Sequence, residues 1–280
     1  MNRLKTIAFI AVEAVLYTVF VYLDITGGSA DASSSVKFAS ILICAAVAVG
    51  EAVKAVTGAG EVPEAVPGNR EMPKSADREK IRYTGPVLLG AALLCTVFAD
   101  RFLLFESSIL PGIISFCLVQ TIYLFVITGA NLRQFLTVFG IRLACSAAGA
   151  VFLSGLAGGD RLLTAVVCFY GISFVGNIVH IVVSIVRSHT GAIKPPCLFA
   201  KPGLFATGLI LFLLCDINVL IYNLNGYAGA GAGVPVWLVN AASILMWVFY
   251  LPSQIMIVLS GSGMQGINRA DGFTRARLRK

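Results

Sequence analysis

The chain alternates long apolar runs with short polar breaks, and most runs are close to the length of one bilayer crossing. A helix rises about 1.5 Å per residue, so about 20 apolar residues carry it through a hydrocarbon core. Runs of this kind fall near residues 7–23, 36–56, 83–104, 110–127, 135–156, 162–186, 202–224 and 235–260. The pattern predicts an all-α, polytopic transmembrane bundle of about eight helices. One domain covers 1–265, followed by a basic cytoplasmic tail over 266–280. The single long connection, 58–82, is rich in Pro, Gly, Glu and Lys without apolar periodicity, and reads as a mobile cytoplasmic loop.

Two aspartates sit within otherwise apolar runs, Asp100 and Asp216. They occur in similar frames, Ala92 to Asp100 and Gly208 to Asp216, each eight residues after a small residue. Ionisable groups inside a membrane are costly and mark functional sites by default. Helix rise puts both acids in the outer part of their helices, at the depth where Lys37 begins the second run. One cation and two carboxylates at one depth define a candidate cluster. It serves either proton chemistry or a structural ion pair between helices. Lys37 alone also fits a side chain snorkelling to the interface.

Composition supports the membrane reading: 58% of the 280 residues are apolar and 12% charged, against about 25% charged in a soluble domain. The net charge of +7 does not indicate nucleic acid, because the basic residues segregate by loop. With the N-terminus inside, Arg3, Lys5, Lys54, Arg70, Lys74, Arg78, Lys80, Arg82, Arg133, Arg187, Lys194, Lys201, Arg269, Arg275, Arg277, Arg279 and Lys280 all fall on one side. That asymmetry predicts eight spans with both termini cytoplasmic, in the plasma membrane if the source is bacterial. Gly28-Ser29-Ala30 resembles a signal-cleavage site, but Glu13 interrupts the preceding run and its length suits an uncleaved span. The seven cysteines form no Cys-x-x-Cys pair, so neither a disulfide framework nor a zinc site is indicated, and no metal or cofactor is expected. Gly226 to Gly233 lacks the Lys-Ser/Thr ending of a phosphate loop and reads as an outer loop.

A second polar set, Glu13, Arg142, Asn177 and His180, lies toward the cytoplasm, with Tyr250 and Gln254 nearby in depth. Glu13 and Arg142 sit at equal depth, and a neutral ion pair between them is expected. An internal repeat is also visible. Asp100 is followed one helix later by Phe116-x-x-x-Gln120, and Asp216 by Tyr250-x-x-x-Gln254. Two four-helix halves repeated in parallel would give this pattern.

Asp100-x-x-Leu103, Gly112-x-x-x-Phe116-x-x-x-Gln120-x-x-Tyr123, Leu213-Leu-Cys-Asp216 and Phe249-Tyr-Leu-Pro-Ser-Gln254 together resemble the YhhN-like lysoplasmalogenase family of multi-pass membrane proteins. Ala99 stands where that family usually has Gly, and Gln120 where many members have His. The resemblance implies hydrolysis of the vinyl ether of a lysoplasmalogen, a lysophospholipid taken from the bilayer. Asp100 and Asp216 would be catalytic, with Lys37, Gln120, Tyr123, Tyr250 and Gln254 around the substrate. Asp216 would be the acid and Asp100, near Lys37, the ionised partner, and the reverse ordering uses the same residues. An ion- or proton-coupled carrier and a catalytically silent relative are the competing readings.

Overall fold

The computed structural model describes residues 1–58, 75–106, 108–157, 160–190, 198–227 and 235–261. They form eight helices and no strand: α1 (Arg3–Thr26), α2 (Ala30–Thr57), α3 (Ser75–Phe105), α4 (Ile109–Ile127), α5 (Leu132–Ala157), α6 (Arg161–His189), α7 (Pro202–Tyr227) and α8 (Val236–Gly261). Each contains a segment long and apolar enough to cross a membrane. The chain is therefore an all-α bundle of the multi-pass membrane type. In hydrocarbon only a helix satisfies its own backbone polar groups, so each apolar run of this length closes its hydrogen bonds internally.

The predicted spans match these helices except at α3. The expected loop 58–82 is helical from Ser75, continuous with the apolar run that follows. The sequence of 75–82 is mostly charged, so no apolar periodicity announces a helix there, while Ala, Glu, Lys and Arg are good helix formers. The rest of that loop, the tail 266–280, most of the Gly226 to Gly233 segment and Cys197 lie outside the described residues.

Local chemistry sets the tight connections. Gly27 ends α1 in the left-handed region, φ 70°, and donates its N–H to Leu23 O. Ser29 caps α2 through Ala32 N, and Asp160 caps α6 through Leu162 N. These short turns make consecutive helices antiparallel neighbours.

Packing follows from where small residues fall. Against α2, Gly90 of α3 faces Ala52, Val49 and Ala48, and a Cβ there would stand 3.5–3.7 Å from them. Gly208 of α7 is tighter: a Cβ would lie 2.8 Å from Ile257 Cγ1 and 3.0 Å from the Ser253 carbonyl of α8. Small residues let helix backbones approach closely, which is how helices associate where lipid offers no hydrophobic drive. The apolar α4 is hydrophobic on all faces, burying Phe116, Val119, Tyr123 and Leu124 toward the bundle while Ile114 and Leu118 face outward, and it touches α3, α5 and α6. By contrast α1 buries only Phe9, Glu13 and Phe20, one stripe facing its neighbours.

The helix contacts repeat between halves. In the first half α1 packs on α2, α2 on α3 and α3 on α4; in the second α5 packs on α6, α6 on α7 and α7 on α8. The halves join by α4 on α6, matched by α8 on α2, and by α4 on α5, matched by α8 on α1. Polar positions follow the same correspondence. Glu13 is the eleventh residue of α1 and Arg142 the eleventh of α5. Glu13 accepts from Ser40 and Cys44, four residues apart on α2, while Arg142 donates to the Ser173 carbonyl and to Asn177, four residues apart on α6. These matched contacts fit the expected pattern of two four-helix halves, with α3 on α8 the exception.

The expected Glu13–Arg142 pair is therefore not formed. Equal depth says nothing about azimuth, and each residue bonds within its own half, Glu13 to α2 and Arg142 to α6.

Candidate functional site

Contacts of α3 with α4, α4 with α6, α6 with α7, α7 with α8 and α8 with α3 close a five-helix ring. Both intramembrane aspartates belong to it. Asp100 on α3 is buried and accepts a hydrogen bond from the Tyr250 hydroxyl of α8 at 2.7 Å. On α7, near its midpoint, the half-buried Asp216 accepts one from the Tyr170 hydroxyl of α6 at 2.6 Å. Each acid is thus held by a tyrosine from a neighbouring helix of the ring.

Aromatic rings fill the space between the two pairs. Tyr250 lies 5.2 Å from Phe212, Phe212 lies 5.5 Å from Phe116, and Phe116 lies 6.0 Å from Tyr170, all centroid to centroid. Phe174 touches both Phe212 and Tyr170, at 5.0 and 5.7 Å. Edge-to-face and tilted contacts at such distances are the favoured aromatic arrangements. The Cys215 thiol, adjacent to Asp216 in sequence, lies in the electrostatic field of both carboxyls. Tyr250 likewise feels Asp100, Cys215 and Tyr170. The two acids therefore face one aromatic interior, and among the described residues neither makes an ion pair.

Local sequence explains how Tyr250 reaches Asp100. Pro252 sits inside α8 and supplies no N–H, which frees the carbonyl four residues back, at Val248. In the same turn Ser253 Oγ donates to the Tyr250 carbonyl at 2.6 Å, a second bond to the backbone that carries the tyrosine. On the far side Trp247 packs edge-on against Tyr250 at 5.4 Å.

Lys37 does not join the acids. Its ammonium pairs with Asp24 of α1 at 2.8 Å, and Asp24 also accepts from Ser33. The Lys37 head lies 5.5 Å from the Phe20 ring centroid and 5.0 Å from that of Trp247, so it reaches the Asp100 site only through the Trp247–Tyr250 contact. A lysine holding Asp100 ionised is thus not found. Asp24 was missed because it sits in the last turn of its helix, where an acid reads as interfacial.

The other predicted residues, Gln120, Tyr123 and Gln254, are buried in α4 and α8, two helices of the ring. Gln120 is fully buried and accepts from Asn177 Nδ2 at 2.9 Å through both its carbonyl and its Oε1. Tyr123 is fully buried with its ring 5.1 Å from Phe205, and Gln254 reaches Ser253 Oγ at 3.4 Å. Among the described residues four buried side-chain atoms make no hydrogen bond: Gln120 Nε2, Tyr123 Oη, Ser173 Oγ and Gln254 Oε1. Buried polar atoms without partners are rare and call for a reason. Three of the four belong to residues expected at the substrate. Tyr170, Ser173 and Asn177, which the sequence reading did not place here, lie at i, i+3 and i+7 on one face of α6. Their spacing on that helix was the signal available.

Among the described residues no group of His, Cys, Asp and Glu could hold a metal ion. Compared with protein-family models, curated proteins and solved structures, the chain gives no match in any of the three. The fold and the site therefore define a class only: a multi-pass helical protein of membrane type with two tyrosine-held carboxyls on an aromatic interior.

Proposed function

We propose that this protein is a membrane-embedded hydrolase that cleaves the vinyl ether bond of a lysoplasmalogen, releasing a fatty aldehyde and a glycerophospho-headgroup. The observation that carries the reading is the pair of carboxyls, each held by one tyrosine and facing a shared aromatic space. Both termini are placed in the cytoplasm on the basic-residue asymmetry.

The chemistry suits two acids. One carboxyl, in its acid form, gives its proton to the outer alkene carbon of the enol ether, and the alkene electrons form that C–H bond. The oxygen lone pair then shares the cation as an oxocarbenium ion. The second carboxyl, as carboxylate, takes a proton from water as the water oxygen bonds to the cationic carbon. The resulting hemiacetal collapses to aldehyde and alcohol, its hydroxyl proton passing to the leaving oxygen. One water is consumed and the protons balance across the pair. This division of labour is that of paired carboxyls in glycoside hydrolysis. The faces of Phe212 and Phe116 suit a passing cation, since aromatic faces attract positive charge. Tyr170 and Tyr250 set the orientation of the two acids. The resemblance of the Asp100, Gln120–Tyr123, Asp216 and Tyr250–Gln254 motifs to the lysoplasmalogenase family supports the same reaction.

The repeated helix contacts favour a second reading, an ion- or proton-coupled carrier, because parallel repeats around intramembrane acids also build transporters. Purified protein in detergent with lysoplasmalogen separates the two. Aldehyde release that falls by roughly 10²–10⁴-fold in Asp100→Asn and in Asp216→Asn, the contribution of one general acid or base, supports hydrolysis. No aldehyde, with pH-driven solute uptake in liposomes, establishes the carrier.

A further inference from the structure

Arg142 lies near the midpoint of α5 and is 7% exposed, yet no carboxylate pairs with it among the described residues. Its described partners are neutral: Nη1 donates to the Ser173 carbonyl at 3.1 Å and to Asn177 Oδ1 at 2.7 Å. The guanidinium rests on Gly176, where a Cβ would come 2.8 Å from Nη2 and 2.9 Å from Nε. Nη2 and Nε form the edge that binds carboxylate or phosphate in the two-pronged manner of arginine, and neither has a described acceptor.

The direction of the surrounding hydrogen bonds follows from the arginine. A guanidinium only donates, so Asn177 must turn its Oδ1 toward Arg142 and its Nδ2 away. Nδ2 then donates to Gln120 Oε1 at 2.9 Å, which leaves Gln120 Nε2, a donor, at the far end with no partner. Ser173 Oγ, one residue type that can also donate, is buried beside the arginine's own acceptor and is equally unpartnered. The cluster therefore presents donors at both ends and positive charge in the middle. Its complement is an oxygen anion. Toward one end of α6, His180 lies in the electrostatic field of both Arg142 and Arg187, so positive groups continue from mid-helix to the helix end.

We propose that Arg142, with Ser173 Oγ and the Gln120 Nε2 that Asn177 orients, is a binding site for a phosphate-type oxyanion inside the helical bundle. The anion is either free or the headgroup of an amphiphile that enters with its chain in the bilayer. The site rests on groups distinct from the two aspartates, and it stands whether or not they hydrolyse an ether.

The test uses the full-length protein in nanodiscs of zwitterionic lipid. Binding of inorganic phosphate is titrated, and binding of lysophosphatidic acid is compared with that of uncharged monoacylglycerol by native mass spectrometry. Arg142→Gln should weaken anion binding by roughly tenfold or more, the loss of a charged hydrogen bond, and Ser173→Ala by roughly two- to tenfold, the loss of a neutral one. Ser173→Ala removes an oxygen with no hydrogen-bond partner among the described residues, so it keeps the test valid if Arg142→Gln fails to fold. Gly176→Ala, which displaces the guanidinium without changing charge, should weaken binding as well. Asp100→Asn should bind the anion as wild type does, which separates this site from the proposed hydrolysis. Weakened binding of both anions supports a site open to water, and weakened binding of the lysophosphatidic acid alone supports one supplied from the bilayer. Wild-type protein that takes up neither anion, or that prefers monoacylglycerol, overturns the proposal, as does unchanged binding in folded Ser173→Ala and Gly176→Ala.

Discussion

The hydrogen bond between Tyr250 and Asp100 joins α8 to α3, and its strength can be read from a double-mutant cycle. Both partners are 3% exposed and the bond is 2.7 Å long. Tyr250→Phe removes the hydroxyl but keeps the ring against Phe212 and Trp247, so packing is preserved and the buried carboxyl loses its described donor. Asp100→Leu strands the tyrosine hydroxyl in turn. Each single change should destabilise by about 1–3 kcal/mol, the cost of leaving one buried polar group unpaired. The double variant replaces both partners with apolar groups and should cost less than the two added together. Hydrogen bonds between membrane helices couple by about 0.6 kcal/mol on average and up to about 1.7, while bonds to a charged group reach about 1.5–3. A short, single, fully buried bond to a carboxyl belongs at the top of the first range, about 1.5 kcal/mol. The assay is reversible unfolding in mixed micelles of lipid and denaturing detergent, with all four proteins compared at one pH. A coupling below about 0.5 kcal/mol, the scatter of independent sites, would refute the claim that Tyr250 holds Asp100.

Three further outcomes follow from the packing. Gly208→Val should destabilise by about 1–3 kcal/mol, because the added atoms meet the backbone of α8 at Ser253 and Ile257, while Gly203→Ala on the same helix, with open space around it, should be close to neutral; equal effects in unfolding would discount the close α7–α8 crossing. Glu13→Gln and Arg142→Gln should add without coupling, since the two residues bond to α2 and α6 respectively; a coupling above about 1 kcal/mol in the same assay would show that they interact after all. In a background without native cysteines, Ser188→Cys and Glu106→Cys should be labelled from opposite faces of sealed vesicles, and labelling of both from one face would end the proposed topology.

Hydropathy alone made the eight helices legible, because hydrocarbon leaves the backbone one way to satisfy itself. It did not reveal the extension of α3 back to Ser75, where helix-forming residues carry no apolar face. The acids were legible because a carboxyl amid leucines is costly and calls for a partner or a role. Their tyrosines were less so: Tyr250 stood out in the Tyr250-x-x-x-Gln254 repeat and the family resemblance but not as the partner of Asp100, and Tyr170 in an apolar run is indistinguishable from a packing aromatic. Depth from helix rise placed Lys37 with Asp100 and Glu13 with Arg142, yet both pairings failed for one reason. Depth is a single coordinate, and partners also need neighbouring helices facing each other. Lys37 faces α1 and meets Asp24, and Glu13 faces α2 and meets Ser40 and Cys44. The repeat, suggested by two acids and two Phe/Tyr-x-x-x-Gln motifs, emerges in the structure as matched helix contacts in which an acid on α1 answers to a base on α5.

The proposed reaction carries an isotopic signature that no carrier shares. Protonation of the outer alkene carbon puts one solvent hydrogen on the carbon next to the aldehyde, so hydrolysis of a lysoplasmalogen in D2O should yield an aldehyde with a single deuterium there. The product is reduced as it forms, to block later exchange, and analysed by mass spectrometry. The account predicts singly deuterated product from the wild-type protein and a yield lowered by roughly 10²–10⁴-fold in Asp216→Asn. Aldehyde without deuterium at that carbon, or undiminished singly deuterated aldehyde from folded Asp100→Asn and Asp216→Asn, would contradict it.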